Sequence, residues 1–147
     1  MDYLTRNRQE TYQFGHTLAE RLEPGSLAAF SGDLGAGKTT LIQGVLEALG
    51  AEKPYVSPTF VLMKQYDLIQ PVRGIERVYH VDAYRVEEKD FKSLGFEDWV
   101  TDPAGIVLVE WPERIKNLLP EKRVVISLRS LSETEREIAI DSSILKP

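Results

Sequence analysis

The sequence predicts an α/β protein, a three-layer sandwich with a mostly parallel central sheet and a hairpin at its C-terminal end. Three observations predict this fold. Short apolar runs alternate with segments of helical periodicity, as in sheets that are covered by helices. A glycine-rich loop at residues 32–37 follows an apolar run and precedes a helical segment. The run at 105–111 is apolar on both faces up to Glu110, which is typical of a central strand.

The first half of the chain predicts two helices separated by a strand and the glycine loop. Residues 7–23 place apolar side chains four residues apart, the spacing of one helix face, and the Pro-Gly pair at 24–25 ends this helix. The apolar run 26–31 predicts a buried strand that leads into the loop. Residues 38–49 again have helical spacing, and Gly50 is the expected terminator.

The second half of the chain predicts mainly strands. Residues 58–67 predict a strand whose initial proline fits an edge or loop position. Apolar and polar residues alternate over 77–86, which predicts a strand with one polar face. The segment 87–100 predicts one short helix, and 123–140 predicts a hairpin that turns at 130–134.

Composition limits the class of protein. The 147 residues have the length of about one domain, so residues 1–147 are expected to form one. No apolar run approaches the roughly 20 residues of a membrane helix, and the polar first residues do not have the apolar core of a secretion signal. Cysteine is absent, which excludes disulfides and thiolate metal sites. We therefore expect a cytoplasmic protein without membrane contact, and the net charge of -5 gives no basic footprint for direct nucleic-acid binding.

Residues 32–39 fit G-x-x-x-x-G-K-[ST], the phosphate-binding loop of P-loop NTPases. Glycines let the backbone curl so that its N–H groups point into one concavity, and the helix that follows adds its positive end. Lys38 is expected to reach the β- and γ-phosphates, and the Thr39 hydroxyl to ligate magnesium. The alternative is a glycine-rich turn that caps an ordinary helix, but the predicted strand before the loop favours the nucleotide site. The residues expected to bind the nucleotide here are Asp33, Leu34, Gly35, Ala36, Gly37, Lys38, Thr39 and Thr40.

Two acidic residues are candidates to complete the site for magnesium and the attacking water. Glu110 follows an apolar run at the expected C-terminal end of a strand, the edge where ligands collect in parallel sheets. Its alternative role is that of a surface acid that ends a strand. Asp82 shares the polar face of its strand with His80, and its alternative role is in a structural network with His80, Tyr84 or Arg85. A His-x-Asp pair alone offers too few ligands for a zinc site, so we do not expect one at His80 and Asp82. The candidate catalytic residues are Lys38, Asp82 and Glu110.

Four segments that contain these residues form a combination more specific than the glycine loop alone. SGDLGAGKTT, SPTFVLMKQY, VYHVDAYR and LVEWPERI occur in this order. Together they resemble the TsaE family, small bacterial P-loop ATPases required for the threonylcarbamoyl modification of tRNA adenosine beside the anticodon. The resemblance covers nearly the whole chain, from Thr11 to Arg136. It implies a P-loop NTPase-type fold, ATP hydrolysis and the cofactors ATP and Mg²⁺.

The resemblance also implies roles for individual residues. Thr39 and Glu110 would be the magnesium ligands, and Asp82 would be essential for hydrolysis. Thr11 and Arg136 would lie near the nucleotide base.

Two further implications concern partners. Residues 57–60 would form a switch-like loop near the γ-phosphate, and Trp111 would be a partner contact or a wall of the nucleotide site, with core packing as its alternative. The protein partners implied are TsaD and TsaB, and tRNA would be reached only through their complex.

The residues alone support a magnesium-dependent NTPase and leave two other functions open. A small-molecule or nucleoside kinase would need lid arginines, for which Arg73, Arg77 and Arg85 are candidates. A nucleotide-gated interaction module would need no intact acids, so Asp82 and Glu110 weigh against it. No Asn-Lys-x-Asp guanine-reading stretch is present. The segment 69–77 fits no motif, and its role stays open.

Overall fold

In the computed structural model, which describes residues 2–58 and 62–141, a seven-stranded mixed sheet lies between two helical layers. The helices are α1 (Arg8–Ala19), α2 (Lys38–Leu49), α3 (Glu88–Leu94) and α4 (Phe96–Val100), and a 3₁₀ segment covers Pro112–Leu118. The strands are β1 (Asp2–Thr5), β2 (Leu27–Ser31), β3 (Met63–Val72), β4 (Ile75–Asp82), β5 (Gly105–Glu110), β6 (Val124–Ser130) and β7 (Arg136–Ile140).

The strands follow the order β1-β7-β6-β2-β5-β4-β3 across the sheet. The four central strands, β6, β2, β5 and β4, are parallel, whereas β1, β7 and β3 pair antiparallel at the two sides. All six residues of β5 are buried, as expected for a strand covered on both faces. The predicted α/β sandwich is thus confirmed, with its parallel part at the centre and its C-terminal hairpin formed by β6 and β7.

Two apolar clusters hold the layers together. On one face of the sheet, α1 and α2 pack through buried residues such as Leu18 and Leu41. On the other face, Phe91, Phe96 and Trp99 from α3 and α4 pack with Ile115 of the 3₁₀ segment. Burial of each such side chain contributes about 1.5–3 kcal/mol, so the sheet is fixed from both sides.

The helices α1 and α2 cross at two glycines. A Cβ atom on Gly15 would lie 2.6 Å from the carbonyl oxygen of Leu41. A Cβ atom on Gly44 would overlap the carbonyl group of Tyr12. The close approach of the two backbones brings α1 against the start of α2, where the glycine loop ends.

Three element boundaries differ from the sequence predictions. The helix predicted at 7–23 ends at Ala19, and the Arg73 Nη2 atom donates hydrogen bonds of 2.7 and 2.9 Å to the carbonyls of Ala19 and Leu22. The strand predicted over 77–86 ends at Asp82, whose carboxylate accepts a hydrogen bond from the Tyr84 backbone N–H. The strand predicted over 58–67 is described from Met63 onward, and residues 59–61 of that prediction lie outside the described residues.

Other segments were not predicted in their observed form. The helix predicted over 87–100 is split at Gly95, which has a φ of 99° that interrupts the helical path. The segment 69–77 forms the β3–β4 hairpin, with positive φ at both Arg73 and Gly74, as in a type I′ turn. Strand β1 is also additional and pairs with β7. Among residues 2–58 and 62–141, no helix combines the length and the apolarity that a membrane crossing needs.

Candidate nucleotide-binding site

The C-terminal edge of the parallel strands carries a cleft of about 640 Å³. Strand β2 ends here and continues into the glycine loop. Glu110, the last residue of β5, lies in register with Phe30 of β2 on one side and with Asp82 of β4 on the other. The parallel register therefore brings the loop and both acids to one edge, where ligands bind in open α/β sheets.

The loop has the backbone that its glycines predict. Gly37 immediately precedes α2 and has a φ of 100°, a backbone angle that residues with a side chain rarely adopt. A Cβ atom on Gly32 would lie 2.5 Å from the carbonyl oxygen of Leu128. The first turn of α2 contains no acidic residue and, within the described part of the chain, no side chain caps its N–H groups. The positive end of α2 therefore faces the cleft and suits phosphate.

The Lys38 ammonium lies in the cleft and contacts the Gly32 carbonyl and the Trp111 ring. Its Nζ atom donates a 2.5 Å hydrogen bond to the carbonyl of Gly32 and lies 3.4 Å from the centre of the Trp111 ring. Burial lowers the pKa of the Lys38 ammonium, and the charges of Glu110, Glu113, Asp82 and Asp33 partly oppose this shift. An ammonium beside a glycine loop of this sequence pattern is suited to strong, charge-assisted hydrogen bonds with phosphate oxygens.

Thr39 and Glu110 line the cleft, and His80, buried behind them, contacts Glu110. The Thr39 hydroxyl donates to Glu110, at 3.2 Å to Oε1 and 3.4 Å to Oε2. The His80 Nε2 atom lies 2.8 Å from Glu110 Oε2, and both side chains are almost fully buried. Hydroxyl and carboxylate oxygens at this spacing fit the ligand preference of Mg²⁺, which takes one or two protein oxygens and completes its shell with phosphate and water.

Asp82 lines the cleft beside Glu110 and is 5% exposed. Its Oδ1 atom accepts a 2.9 Å hydrogen bond from the Tyr84 backbone N–H, which fixes the carboxylate at the end of β4. Two buried carboxylates in adjacent register therefore face the same space as the Lys38 ammonium.

Thr11 and Arg136 lie on the opposite side of the loop. The Thr11 hydroxyl is 2.7 Å from the Thr5 hydroxyl, and Thr11 is 2% exposed. The Arg136 Nη2 atom donates to the Gly35 carbonyl at 3.1 Å, and its Nη1 atom donates to the carbonyls of Ser132 and Glu135. Arg136 therefore ties the β6–β7 turn to the glycine loop, and both predicted residues line the cleft.

Leu34 and Ser57 also line the cleft, whereas the predicted residue Asp33 does not. Leu34 is 73% exposed at the tip of the loop. Asp33 lies at the base of the loop, where its carbonyl accepts a hydrogen bond from the Ala36 N–H. Ser57 lines the cleft, whereas Thr59 and Phe60 of the predicted switch-like segment lie outside the described residues. The other cleft-lining members of the predicted set are Gly35, Ala36, Gly37, Lys38, Thr39 and Thr40.

An aromatic pair that the motifs do not reveal forms one wall. The rings of Trp111 and Tyr84 lie 4.9 Å apart, and Trp111 has a φ of 58°, in the left-handed region. Sequence reasoning identified Trp111 as a partner contact, a wall of the site or a core residue, and it named Tyr84 only as a possible neighbour of Asp82. The tyrosine follows Asp82 by two residues, which is the only local signal for its position. Further lining residues without a sequence signal are Arg8, Glu133 and Thr134.

The three arginines considered for a kinase lid are separated in space. Arg85 lines the cleft. Arg73 binds the end of α1, and Arg77 forms an ion pair of 2.8 Å with Asp102 at the start of β4, the opposite edge of the sheet. Two of the three are thus engaged away from the cleft.

Comparison with known proteins identifies the family. The family model described as "Threonylcarbamoyl adenosine biosynthesis protein TsaE" matches residues 5–138. The chain belongs to the TsaE family. The TsaE match includes every predicted site residue, from Thr11 to Arg136, and the resemblance inferred from the motifs is confirmed.

Individual relatives agree with the TsaE assignment. A protein of Treponema pallidum (strain Nichols), named tRNA threonylcarbamoyladenosine biosynthesis protein TsaE, is 36% identical over 141 residues, which cover 95% of this chain and 99% of that protein. A protein of Bacillus subtilis (strain 168) with the same name is 36% identical over 138 residues, or 94% of this chain and 83% of that protein. The crystal structure of Bacillus subtilis YdiB superposes with a TM-score of 0.78 and 32% identity, covering 95% of this chain and 83% of that one.

Proposed function

We propose that this TsaE-family protein is a cytoplasmic, magnesium-dependent ATPase that supports threonylcarbamoyl modification of the tRNA adenosine next to the anticodon. The observation that carries the proposal is one cleft in which a phosphate-binding loop, the Lys38 ammonium and the Thr39–Glu110 oxygen pair face the same space. The names of the Treponema and Bacillus relatives support the pathway.

Different residues of the cleft have different proposed roles in ATP hydrolysis. The backbone N–H groups of residues 33–40 bind phosphate oxygens, and Lys38 exchanges the Gly32 carbonyl for oxygens of the β- and γ-phosphates. Thr39 and Glu110 would hold magnesium, which would supply positive charge to the phosphate oxygens. Asp82 would accept a hydrogen bond from the attacking water and orient it toward the γ-phosphorus. The bond from the water oxygen to phosphorus would form in line as the bond to the ADP oxygen breaks, and the water proton would pass to the released phosphate.

Arg136 and Thr11 complete the site on the side of the nucleoside. Arg136 links the β6–β7 turn to the loop carbonyl of Gly35. This bridge holds the walls of the cleft together where the base would lie. Thr11 packs beside Gly37, with its methyl group 3.5 Å from the position of a Cβ atom there, and so limits the width of the cleft.

Hydrolysis by so small a protein acts through partners. The net charge of -5 opposes direct binding to the tRNA backbone. We therefore propose that TsaD and TsaB read the nucleotide state, through residues 57–60 and Trp111, and that tRNA is reached only through this complex. A loop that responds to the γ-phosphate is a known way to convert hydrolysis into a change of contact.

The test is phosphate release from ATP by the isolated protein and by its mixture with TsaD and TsaB. We expect slow turnover alone, a dependence on Mg²⁺, and faster turnover with the pair. Retention of tRNA is measured in parallel across a salt series and should be absent for the isolated protein. Full turnover without the pair would contradict the coupling, and tight, steeply salt-dependent tRNA binding would indicate a direct RNA-handling enzyme.

A further inference from the structure

His80 is a buried polar residue that lies behind the wall of the cleft. It is 1% exposed and does not line the cleft itself. In the register of the sheet, His80 lies opposite Leu108, so Glu110 is the next residue on the same face of β5. The imidazole reaches diagonally to the Glu110 carboxylate, with 2.8 Å between Nε2 and Oε2.

The two nitrogens of His80 have different surroundings. Nε2 contacts Glu110, whereas Nδ1 is buried and has no hydrogen-bond partner among the described residues. A proton on Nδ1 would be a buried donor without an acceptor there, which is costly. These contacts assign the tautomer with its proton on Nε2, which donates to Glu110.

The Glu110 carboxylate is held from two sides. Thr39 donates to it from α2, and His80 donates to it from β4. Lys38 is close enough for its charge to interact with that of Glu110, yet its ammonium is bound to Gly32 and Trp111 instead. Direct pairing of Lys38 with Glu110 would occupy the phosphate-binding cation and the candidate metal ligand with each other. Separate partners keep the two opposite charges available.

We propose that His80 is a positioning residue that holds the Glu110 carboxylate in the orientation needed to bind a divalent cation. The proposal rests on the proposed function, which assigns magnesium to Thr39 and Glu110. Groups that hydrogen-bond to metal ligands commonly fix the direction of the ligand, and their loss costs roughly 10- to 100-fold in metal affinity. His80 acts on the cation through Glu110 and has no contact with the nucleotide cleft.

Two amide substitutions separate positioning from packing. In His80→Gln the side-chain N–H₂ group can reach the place of Nε2, whereas in His80→Asn it stops near the place of Nδ1. Binding of a fluorescent ADP analogue is measured with and without Mg²⁺, and Mn²⁺ binding is followed directly by electron paramagnetic resonance. We expect His80→Asn to raise the Mg²⁺ and Mn²⁺ midpoints by roughly 10- to 100-fold. The affinity for the analogue without metal should be unchanged, and His80→Gln should restore most of the metal affinity.

Tyr79→Phe is the matched control, because it removes a hydrogen bond from the same strand. The Tyr79 hydroxyl binds Asp102 at the other edge of the sheet, so its loss should leave both metal midpoints unchanged. Equal metal midpoints for His80→Asn, His80→Gln and the unmodified protein would overturn the positioning role, as would an equal loss of metal-free nucleotide binding in both variants. If the unmodified protein binds the analogue but neither Mg²⁺ nor Mn²⁺ affects it, the magnesium assignment of the proposed function is wrong and the role of His80 falls with it.

Discussion

The Lys38 Nζ atom lies 3.4 Å from the centre of the Trp111 indole ring, so the ammonium at the end of the glycine loop contacts an aromatic face. The 2.5 Å hydrogen bond to the Gly32 carbonyl holds it there. Cation–π contacts contribute about 0.5–2 kcal/mol, more when they are shielded from water. Trp111 also contacts Tyr84, which lines the same cleft, so the pair connects Lys38 to the wall for which we propose a partner contact.

Trp111→Ala should therefore affect partner coupling more than nucleotide binding. We expect ATP affinity to fall by no more than about 2- to 30-fold, because a cation–π contact is worth about 0.5–2 kcal/mol and the proposed phosphate contacts of the loop and Lys38 are kept. The increase in phosphate release on addition of TsaD and TsaB should fall further. Trp99→Phe is the control, since Trp99 packs between Phe91 and Phe96 on the other face of the sheet. Full stimulation of the Trp111→Ala protein would exclude this residue from coupling.

Lys38→Ala should weaken nucleotide binding without unfolding the protein. A hydrogen bond between charged groups contributes about 1.5–3 kcal/mol, which corresponds to a loss of about tenfold or more in ATP affinity. The apolar clusters on both faces of the sheet do not depend on this ammonium. Isothermal titration calorimetry measures the affinity, and Lys53→Ala removes the same charge from an exposed position. An unchanged affinity in folded Lys38→Ala would mean that Lys38 does not meet the phosphates.

Asp82→Asn and Glu110→Gln should separate binding from chemistry. Both substitutions keep side-chain size and remove the charge proposed to orient water or hold metal. We expect both variants to bind ATP with modest change and to lose most hydrolysis. Only Glu110→Gln should also shift the Mg²⁺ dependence of binding to higher concentration. Either variant with unmodified turnover at saturating Mg²⁺ would show that its acid has another role.

The fold was predictable where local pattern and burial agree. Helix α2 lies at the predicted residues 38–49 because the loop fixes its start and Gly50, with a φ of 73°, fixes its end. Strand β1 was missed because it is short, and its pairing with β7 joins opposite ends of the chain. The break at Gly95 was missed because the apolar spacing continues through it. Local periodicity does not predict which distant segments pair with each other, and it does not predict the φ of a single glycine.

The candidate site was predictable to the extent that it is contiguous in sequence. The glycine loop is a local motif, and the acids follow from strand ends. The contact between His80 and Glu110 depends on the register of β4 against β5, which no local pattern specifies. The sequence offered His80 only as one possible partner of Asp82, with Tyr84 and Arg85 as the others, and the Tyr84 backbone N–H is the one that donates to Asp82. The Arg136 bridge to Gly35 likewise joins residues about a hundred positions apart and requires the folded sheet.

The crossing of α1 and α2 gives a prediction on stability. Alanine in place of glycine inside a helix would normally stabilise it by about 1 kcal/mol. At Gly44 the added Cβ would overlap the Tyr12 carbonyl, and at Gly15 it would lie 2.6 Å from the Leu41 carbonyl oxygen. Overpacking typically costs about 1–3 kcal/mol, so the clash should exceed the gain in helix propensity.

We therefore expect Gly15→Ala and Gly44→Ala to lower the free energy of unfolding in urea, with the larger loss for Gly44→Ala. Thr17→Ala is the control, because Thr17 is exposed on α1 and its change should stay within about 0.5 kcal/mol. An increase in stability for Gly44→Ala would mean that the helices can separate at no cost.

The ion pair of Arg77 and Asp102 gives a prediction on pH. The guanidinium donates two hydrogen bonds to the carboxylate, at 2.8 and 3.1 Å, and the Tyr79 hydroxyl donates a third at 2.6 Å. The hydrogen bonds from Arg77 hold the pKa of Asp102 well below its usual range, although partial burial opposes the shift. A carboxyl whose pKa is lower in the folded state stabilises the protein above its unfolded-state pKa of about 3.9. This contribution decreases as the pH falls from there toward the folded-state pKa.

Asp102→Asn should accordingly be less stable than the unmodified protein at neutral pH, and the difference should shrink once the pH falls below about 4. Free energies of unfolding in urea are measured for both proteins from pH 3 to pH 7. Asp67→Asn is the control. Asp67 is an exposed acid on β3, and within the described part of the chain its carboxylate accepts a hydrogen bond from Gln65 alone, so its difference from the unmodified protein should be small at every pH. A difference for Asp102→Asn that stays constant down to pH 3 would show that the Asp102 charge is not the source of the stabilisation.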